Sequence, residues 1–482
     1  MTRYNKFVIA FINNLLTTGV ESMNTIVKGL AALLVTIGMT NMASAETIRI
    51  AVGHQSKCTD TYSAGIILKE LKLIQKHLPK DGKYKDANFE FVWKDYSSGS
   101  PITNQMLANK LDFGVMGDYP LIVNGAKFQA TNSLETLYVA GTGYNQRGSG
   151  NAIVVPVDSD VQTLEDLKGK SISVPVGSAA WGMTLKALQD KGIKDITLKN
   201  QSPPVGAANI ANSKIDAHGD FCPWSEIMEF RGTGRKVFDG SEAGVPYLHG
   251  VVVRKDYAEK YPEVVVAFMK AVIDAGDWVH KDPVYAAKKL EEWTGVEREV
   301  QYLYFGKGGT LTLDPTIKPA WVDALKFDHK VLVKEKAIPP LDFDRWIDDE
   351  YIRQAYKEMG RDYEKDLNYT YVPKEENMKL PPAEMWDSKK GLIKYDTIAA
   401  MLDAAKESKE KGTLRATYVY DNTTGLKIFG KVATYVKGDD GAYTAFMRKA
   451  DAEKFVASAG GGIVENAAFA NKKAGMDMAA AE

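Results

Sequence analysis

Short apolar runs alternate with amphipathic stretches over most of the chain, and this alternation sets the elements. Residues 47–52 (TIRIAV) read as a strand opening on the loop GHQSKCTDTYS. Ile66, Ile67, Leu71 and Ile74 then recur at helical spacing and predict a helix over 64–77. The next strand, 89–93, feeds the loop Ser97-Ser98-Gly99-Ser100 and then Pro101, a residue suited to a first helical position. Ile102, Met106 and Leu107 supply that helix with its apolar face. Residues 113–116 form a short apolar strand running into Gly117, Asp118, Tyr119 and Pro120, a second helix start. This βαβα order predicts a mostly parallel sheet with helices on its faces. Ligands of such sheets lie beyond the carboxyl ends of the strands.

A second unit begins with the strand 151–157 (NAIVVPV), a short helix over 161–170 and the strand 171–176 (SISVPV). That strand empties into Gly177-Ser178-Ala179-Ala180-Trp181, and a helix continues to Lys191. After residues 196–198, Pro203-Pro204 and a helix over 206–213, the strand 214–221 ends in Cys222-Pro223-Trp224. The pattern then gives a strand over 249–254 and helices to about residue 360. In all, four strand–loop–helix junctions are predicted. Each offers unpaired helix N–H groups and about half a unit of positive charge. Several facing one crevice hold an anion without Lys or Arg.

The residues at these junctions are the candidate ligand site: Ser56, Ser98, Gly99, Ser100, Asp118, Tyr119, Ser178, Ala179, Trp181, Cys222 and Trp224. Main-chain N–H groups and Ser hydroxyls suit oxyanions, while Tyr and Trp cover an apolar portion. Asp118 and Glu226 repel a bare anion unless they cap helices or meet a cationic part of the ligand. For each of these residues the competing account is a cap or core role. His54 with Cys58, and His218 with Asp220 and Cys222, form two further groups on loops. Three readings of them stay open: a soft-metal site, a disulfide, or packed thiols. No catalytic residue and no cofactor is expected.

Composition narrows the class. The 482 residues are 45% hydrophobic and 26% charged with a formal net charge of −1, which suits a soluble globular protein and excludes the basic footprint of a nucleic-acid binder. Two cysteines exclude a disulfide scaffold or a zinc ribbon. From Met23 the chain shows Lys28, an apolar run over 29–39 and Ala43-Ser44-Ala45, the pattern of a cleaved secretory signal. A signal over 1–45 is expected, with 1–22 an upstream extension if Met23 is the initiator, and a mature chain starting at Glu46. The apolar run is well short of the roughly 20 residues of a membrane span, and no later stretch is long enough. The expected location is periplasmic.

The features TIRIAV, Leu111–Gly114 (LDFG), Gly117-Asp118-Tyr119-Pro120, LEDLKGKSISVPVGSAAWG, KIDAHGDFCPW and VVVRKDYAEKYPEVVVAFMKA occur in an order and spacing that resembles the nitrate/sulfonate/taurine group of substrate-binding proteins serving ABC importers. The resemblance covers roughly 46–350. It implies an α/β, two-lobed periplasmic-binding-protein fold of type II, with lobe one at about 46–145 and 247–350 and lobe two at about 148–246. It further implies a small anionic ligand (nitrate, bicarbonate, cyanate or thiocyanate, or an alkyl sulfonate), hinge closure, and a permease–ATPase complex as partner. Residues 351–390 read as a linker and 391–473 as a small α+β domain, with a helix over 392–406, strands over 415–420, 430–436 and 443–448, a helix over 449–459 and a return strand. The segment FGKVATYVKGDDGAYTAFMRKADAEKFVASAGGGIVE resembles the copper-binding accessory lipoproteins of nitrous-oxide reductase, although that family's Cys-Gly-Met metal motif is absent. A structural or docking role is expected for this domain, and disorder for 474–482. The alternatives are a periplasmic copper-handling or accessory factor for a redox enzyme, and an enzyme on the same scaffold.

Overall fold

The computed structural model describes residues 46–464 apart from 132–133, 146, 245 and 335–337. The expected signal and the tail after 473 lie outside the described residues. Lobe one is built on β1 (Thr47–His54), β2 (Asn88–Asp95), β3 (Phe113–Gly117) and β4 (Thr136–Asn145). The chain then crosses to lobe two, with β5 (Ala152–Pro156), β6 (Ser171–Val174), β7 (Thr197–Asn200), β8 (Ala217–Asp220) and β9 (Gly234–Asp239). It returns to lobe one as β10 (Tyr247–Arg254). The two five-stranded sheets have the orders β2-β1-β3-β10-β4 and β7-β6-β8-β5-β9. In each, one strand beside the first βα units runs antiparallel: β10 against β3 and β4, and β5 against β8 and β9.

The apolar runs explain the layers. β3, β4 and β10 are buried along their whole length, as strands covered by helices on both faces must be. The helix Pro262–Lys281 lies under lobe one with Val264, Val265, Phe268 and Val272 buried, and Phe268 stacks on Phe113 at 4.4 Å. Lobe two has its own smaller core, including Ile153, Val155, Leu167, Ile172 and Phe238.

The two chain crossings between the lobes touch. The Gly240 amide donates to the Asn151 carbonyl (2.7 Å), and a Cβ on Gly240 would lie 2.1 Å from the Gly148 carbonyl oxygen. The lobes are closed on each other. Val174, Ala179, Ala180, Phe221, Cys222 and Trp224 of lobe two belong to one apolar cluster with the core of lobe one. Gly182, in the helix Ala179–Asp190, faces the ring of Tyr119 so closely that a Cβ would sit 1.9 Å from Cζ. The Tyr304 hydroxyl of lobe one donates to Glu226 Oε2 of lobe two at 2.6 Å.

The C-terminal part forms the sheets β12-β11-β13-β14 and β16-β15-β17, from β11 (Ala383–Asp387), β12 (Gly391–Tyr395), β13 (Leu414–Tyr420), β14 (Lys427–Phe429), β15 (Thr434–Lys437), β16 (Tyr443–Phe446) and β17 (Gly462–Val464). It is anchored on both lobes. Arg415 Nε donates to Glu299 Oε1 of lobe one at 2.8 Å, Phe429 packs on Phe230 of lobe two at 5.8 Å, and Arg448 lies 2.9 Å from Glu242. Lys427 is buried in a cage of Tyr302, Tyr418 and Tyr420, its ammonium 2.7 Å from Glu384 Oε2. Among the described residues no helix is long and apolar enough to cross a membrane.

Several expected elements differ. The helix expected over 64–77 is a buried 3-10 turn, Thr59–Ala64, then Ile66–Leu71 and Leu73–His77, because Lys72 adopts φ 53° and breaks it. In 161–170 only Glu165–Leu167 is helical, since Asp166 Oδ2 accepts the Gln162 and Thr163 amides and closes a turn. The helix Asp118–Gln129 starts before Pro120. The stretch 351–390 is folded: it carries the helices Glu350–Glu358 and Tyr363–Asn368 and the strand β11. Within 392–406 the first residues pair with β11 as β12, and the helix is Ile398–Glu410, capped by the Thr397 hydroxyl. Of the strand expected over 430–436 only 434–436 is extended, as part of β15, because the chain turns at 430–432 after β14.

Two outcomes follow from these contacts. Gly182→Ala favours its helix by about 1 kcal/mol yet collides with Tyr119, so small-angle scattering is expected to show a more open molecule with each lobe still folded. Glu384→Ala leaves the Lys427 ammonium buried without its counter-charge, and denaturant unfolding is expected to register a loss of roughly 3–5 kcal/mol.

Candidate functional site

The junction residues come together along the closed interface. A Cβ on Gly99 would meet Pro120 at 2.5 Å, so the two lobe-one junctions are in contact, and the Gly177 position lies against Ser100 Oγ across the gap. Ser178 accepts the Trp181 amide at 3.3 Å and caps its helix. Asp118 is buried, and its Oδ1 accepts the following amide of Tyr119 at 2.7 Å. Tyr119, Ala179, Gly182, Met183, Lys186 and Tyr247 line an interlobe cavity of about 30 Å³ with Asp118 and Asp328, room for about one water. Trp224, the first residue of the helix Trp224–Arg231, is buried in the shared cluster. Trp181 and Ser98 are half-buried. Ser56 is engaged elsewhere: its amide and hydroxyl both donate to Asp95, at 2.7 and 2.5 Å.

The Cys/His groupings of the sequence are rearranged by the fold. His218 sits in the core of lobe two, 2.8 Å from both Asp220 Oδ2 and Ser173 Oγ, with its ring against Gly206. His54 packs edge-on to Trp93 at 5.7 Å, and burial lowers it to about 4. Neither accompanies a cysteine. The residue that does is His249 of β10. Cys58 Sγ lies 3.3 Å from Cys222 Sγ and 3.3 Å from His249 Nε2. Cys58 comes from lobe one and Cys222 from lobe two. Both are free thiols, so the disulfide reading is not realised here.

A polar shell surrounds this triad. The Tyr247 hydroxyl lies 3.1 Å from His249 Nε2 and 3.5 Å from Cys222 Sγ. On the far side of the ring, His249 Nδ1 is 3.4 Å from Asp60 Oδ2, which also accepts from Asn145 Nδ2 at 3.0 Å. Burial opposes ionisation of Cys58, but the hydrogen bond with Cys222 and the charge of His249 outweigh it and bring the thiol down to about 6. Burial likewise opposes charge on His249, yet Cys58 and Asp60 raise it to about 10. Both shifts run in the direction that favours a thiolate on Cys58 beside a protonated His249. Burial pushes the Cys222 thiol well up, and the adjoining Cys58 and Asp60 add to this. Burial also raises Asp118 to about 7.

His249, Tyr247, Asp60 and Asn145 were not among the sequence candidates. A signal for two of them was present. Tyr247 and His249 are two apart in YLHGVVVR, so a strand turns them to the same face, and a histidine interrupts an otherwise apolar run.

Comparison with known proteins agrees with the architecture. The family profile described as NMT1/THI5 like matches residues 80–286. A taurine-binding periplasmic protein of Escherichia coli (strain K12) is 33% identical over 197 residues, 40% of this chain. The match spans only 58% of that relative's length. A putative aliphatic sulfonates-binding protein of Bacillus subtilis (strain 168) is 26% identical over 48% of this chain and 72% of its own. The solved alkanesulfonate-binding protein of Xanthomonas axonopodis pv. citri superposes with TM-score 0.54 at 21% identity, covering 64% of this chain and all of that one. The periplasmic nitrate-binding protein of Synechocystis PCC 6803 gives 0.50 at 15% identity, over 67% and 91%. The chain thus has the two-lobed α/β fold of type II periplasmic binding proteins, with an NMT1/THI5-like match confined to residues 80–286 and additional C-terminal sheets beyond it.

Proposed function

We propose that the protein is the periplasmic ligand-capturing component of an ABC importer, closing its lobes on a small ligand of the sulfonate, taurine or nitrate type and yielding it to a permease–ATPase complex. The observation that carries this is the meeting of four strand–loop–helix junctions, two per lobe, across a gap flanked by two touching chain crossings. The positive ends of the helices that start at Ser100, Ala179 and Trp224 suit an anionic head. Contacts from both lobes then favour the closed population.

The acidic groups refine the choice. Asp118 and Asp328 line the same gap and oppose a bare inorganic anion, whereas an aminosulfonate presents an ammonium to them and its sulfonate to the helix ends. Tyr119 and Trp181 cover the carbon chain. The sequence relatives that bind taurine and sulfonates support this reading, and the C-terminal sheets serve as a structural or docking module.

Calorimetry on the mature chain is expected to show stoichiometric binding of taurine, weaker binding of simple alkyl sulfonates, and none of nitrate. Absence of binding to all of them overturns the reading. Because Asp118 is raised to about 7, it must lose its proton to meet an ammonium. Taurine affinity therefore rises as pH increases through about 7 and falls below it. Asp118→Asn is expected to flatten that profile and to weaken binding about tenfold, the equivalent of ~1.4 kcal/mol.

A further inference from the structure

We infer that Cys58, Cys222 and His249 form a site for one thiophilic d10 cation, of the Cu(I) or Zn(II) class, that bridges the two lobes when they close. Their three donor atoms lie within 4.8 Å of one another, and all three side chains are buried. Two sulfurs and one imidazole nitrogen select soft or borderline ions over Mg(II) or Ca(II). Around a metal with M–S of about 2.3 Å and M–N of about 2.0 Å, donors stand roughly 3.5–4.0 Å apart. The present separations of 3.3 Å need to widen by only a few tenths of an ångström.

A second observation points the same way. Metal-bound histidines donate their other ring N–H to a carboxylate that fixes the tautomer. Here Nδ1 of His249 faces Asp60 at 3.4 Å, and Asn145 holds that carboxylate from behind at 3.0 Å. This Nδ1 has no well-formed hydrogen bond of its own. With Nε2 toward the sulfurs and Nδ1 toward Asp60, the ring is oriented as a ligand. The Tyr247 hydroxyl, near both Nε2 and Cys222 Sγ, can serve as a fourth donor for an ion that needs one.

Charge also fits. Two thiolates and a neutral imidazole bring a divalent ion to neutrality and leave Cu(I) with one net negative charge. Binding releases to solvent whatever protons the two thiols and Nε2 still hold. Because Cys58 and Cys222 belong to different lobes, the site is complete only in the closed state, and the ion stabilises closure. This inference goes beyond the aminosulfonate reading and shares with it only the closure of the lobes.

The test uses the mature full-length chain, reduced under argon and desalted. It is titrated with Zn(II), or with Cu(I) held in acetonitrile, against a competing chelator. Expected are one ion per chain, two sulfurs and one nitrogen in the first shell by X-ray absorption, and a more compact molecule by scattering. Cys222→Ser is expected to lose about 100-fold or more in affinity, and Asp60→Asn about 10–100-fold. Should Cys222→Ser fail to fold, His249→Gln takes its place, with circular dichroism confirming the fold. Failure of the reduced wild type to retain either ion, a first shell without sulfur, or undiminished binding by the folded variant overturns the inference. Taurine is titrated in parallel on the metal-free wild type. Taurine binding without metal binding overturns this inference alone, metal without taurine overturns only the aminosulfonate reading, and the loss of both overturns both.

Discussion

The close approach of two backbones at the lobe junction governs the rest of the molecule. Where the chain leaves lobe one and where it comes back, Gly148 and Gly240 are so near that no side chain fits between them. The amide of Gly240 is bonded to the carbonyl of Asn151 at the same place. Two adjoining crossings give the lobes one axis to turn about, and small rotations there become large displacements at the far rim. Gly148 has φ 94°, in a region that L side chains rarely adopt. The axis thus rests on residues without side chains, and the chemistry is placed on either side of it.

That placement explains why the interior of the gap is so heavily acidic and thiol-rich without being unstable. Asp60 is held by Asn145, Asp118 by the start of its own helix, and Glu226 by Lys236 and Tyr304. Each carboxylate thus has a partner, as buried polar groups require. Asp118 is raised by burial and by Asp60, and Asp328 by burial and by Asp118, which lowers the charge carried into the closed state. Parting the lobes rehydrates these groups, so their protonation is coupled to the motion.

Much of the fold was legible in the sequence. The apolar runs of β3, β5, β6 and β10 marked strands buried on both faces, and the helix starts after Gly99, Gly117 and Gly177 were visible as small polar loops. Interruptions without a glycine or proline were not. Lys72 breaks a helix whose apolar spacing is unbroken, and the Asp166 side chain replaces a helical turn by capturing two amides. Leu392 and Ile393 suit a helix face as well as a strand, and only the presence of β11 beside them decides. The site was half legible for a similar reason. Local spacing brought out Ser100, Ser178 and Asp118, but it paired Cys58 with His54 and Cys222 with His218. In the folded chain Cys58 meets a cysteine 164 residues away and a histidine 191 residues away. Those distances are set by how the lobes meet, which no local pattern encodes.

The C-terminal sheets grip both halves of the molecule at once, through Glu299 on one side and through Phe230 and Glu242 on the other. A hinged shell ordinarily swings freely apart from its axis. Here a third body spans the jaws from outside, so each swing must slide or detach one of its footholds. Separation of the lobes is therefore tied to the module's own contacts, since either Arg415–Glu299 on one side or Phe429–Phe230 and Arg448–Glu242 on the other must give way.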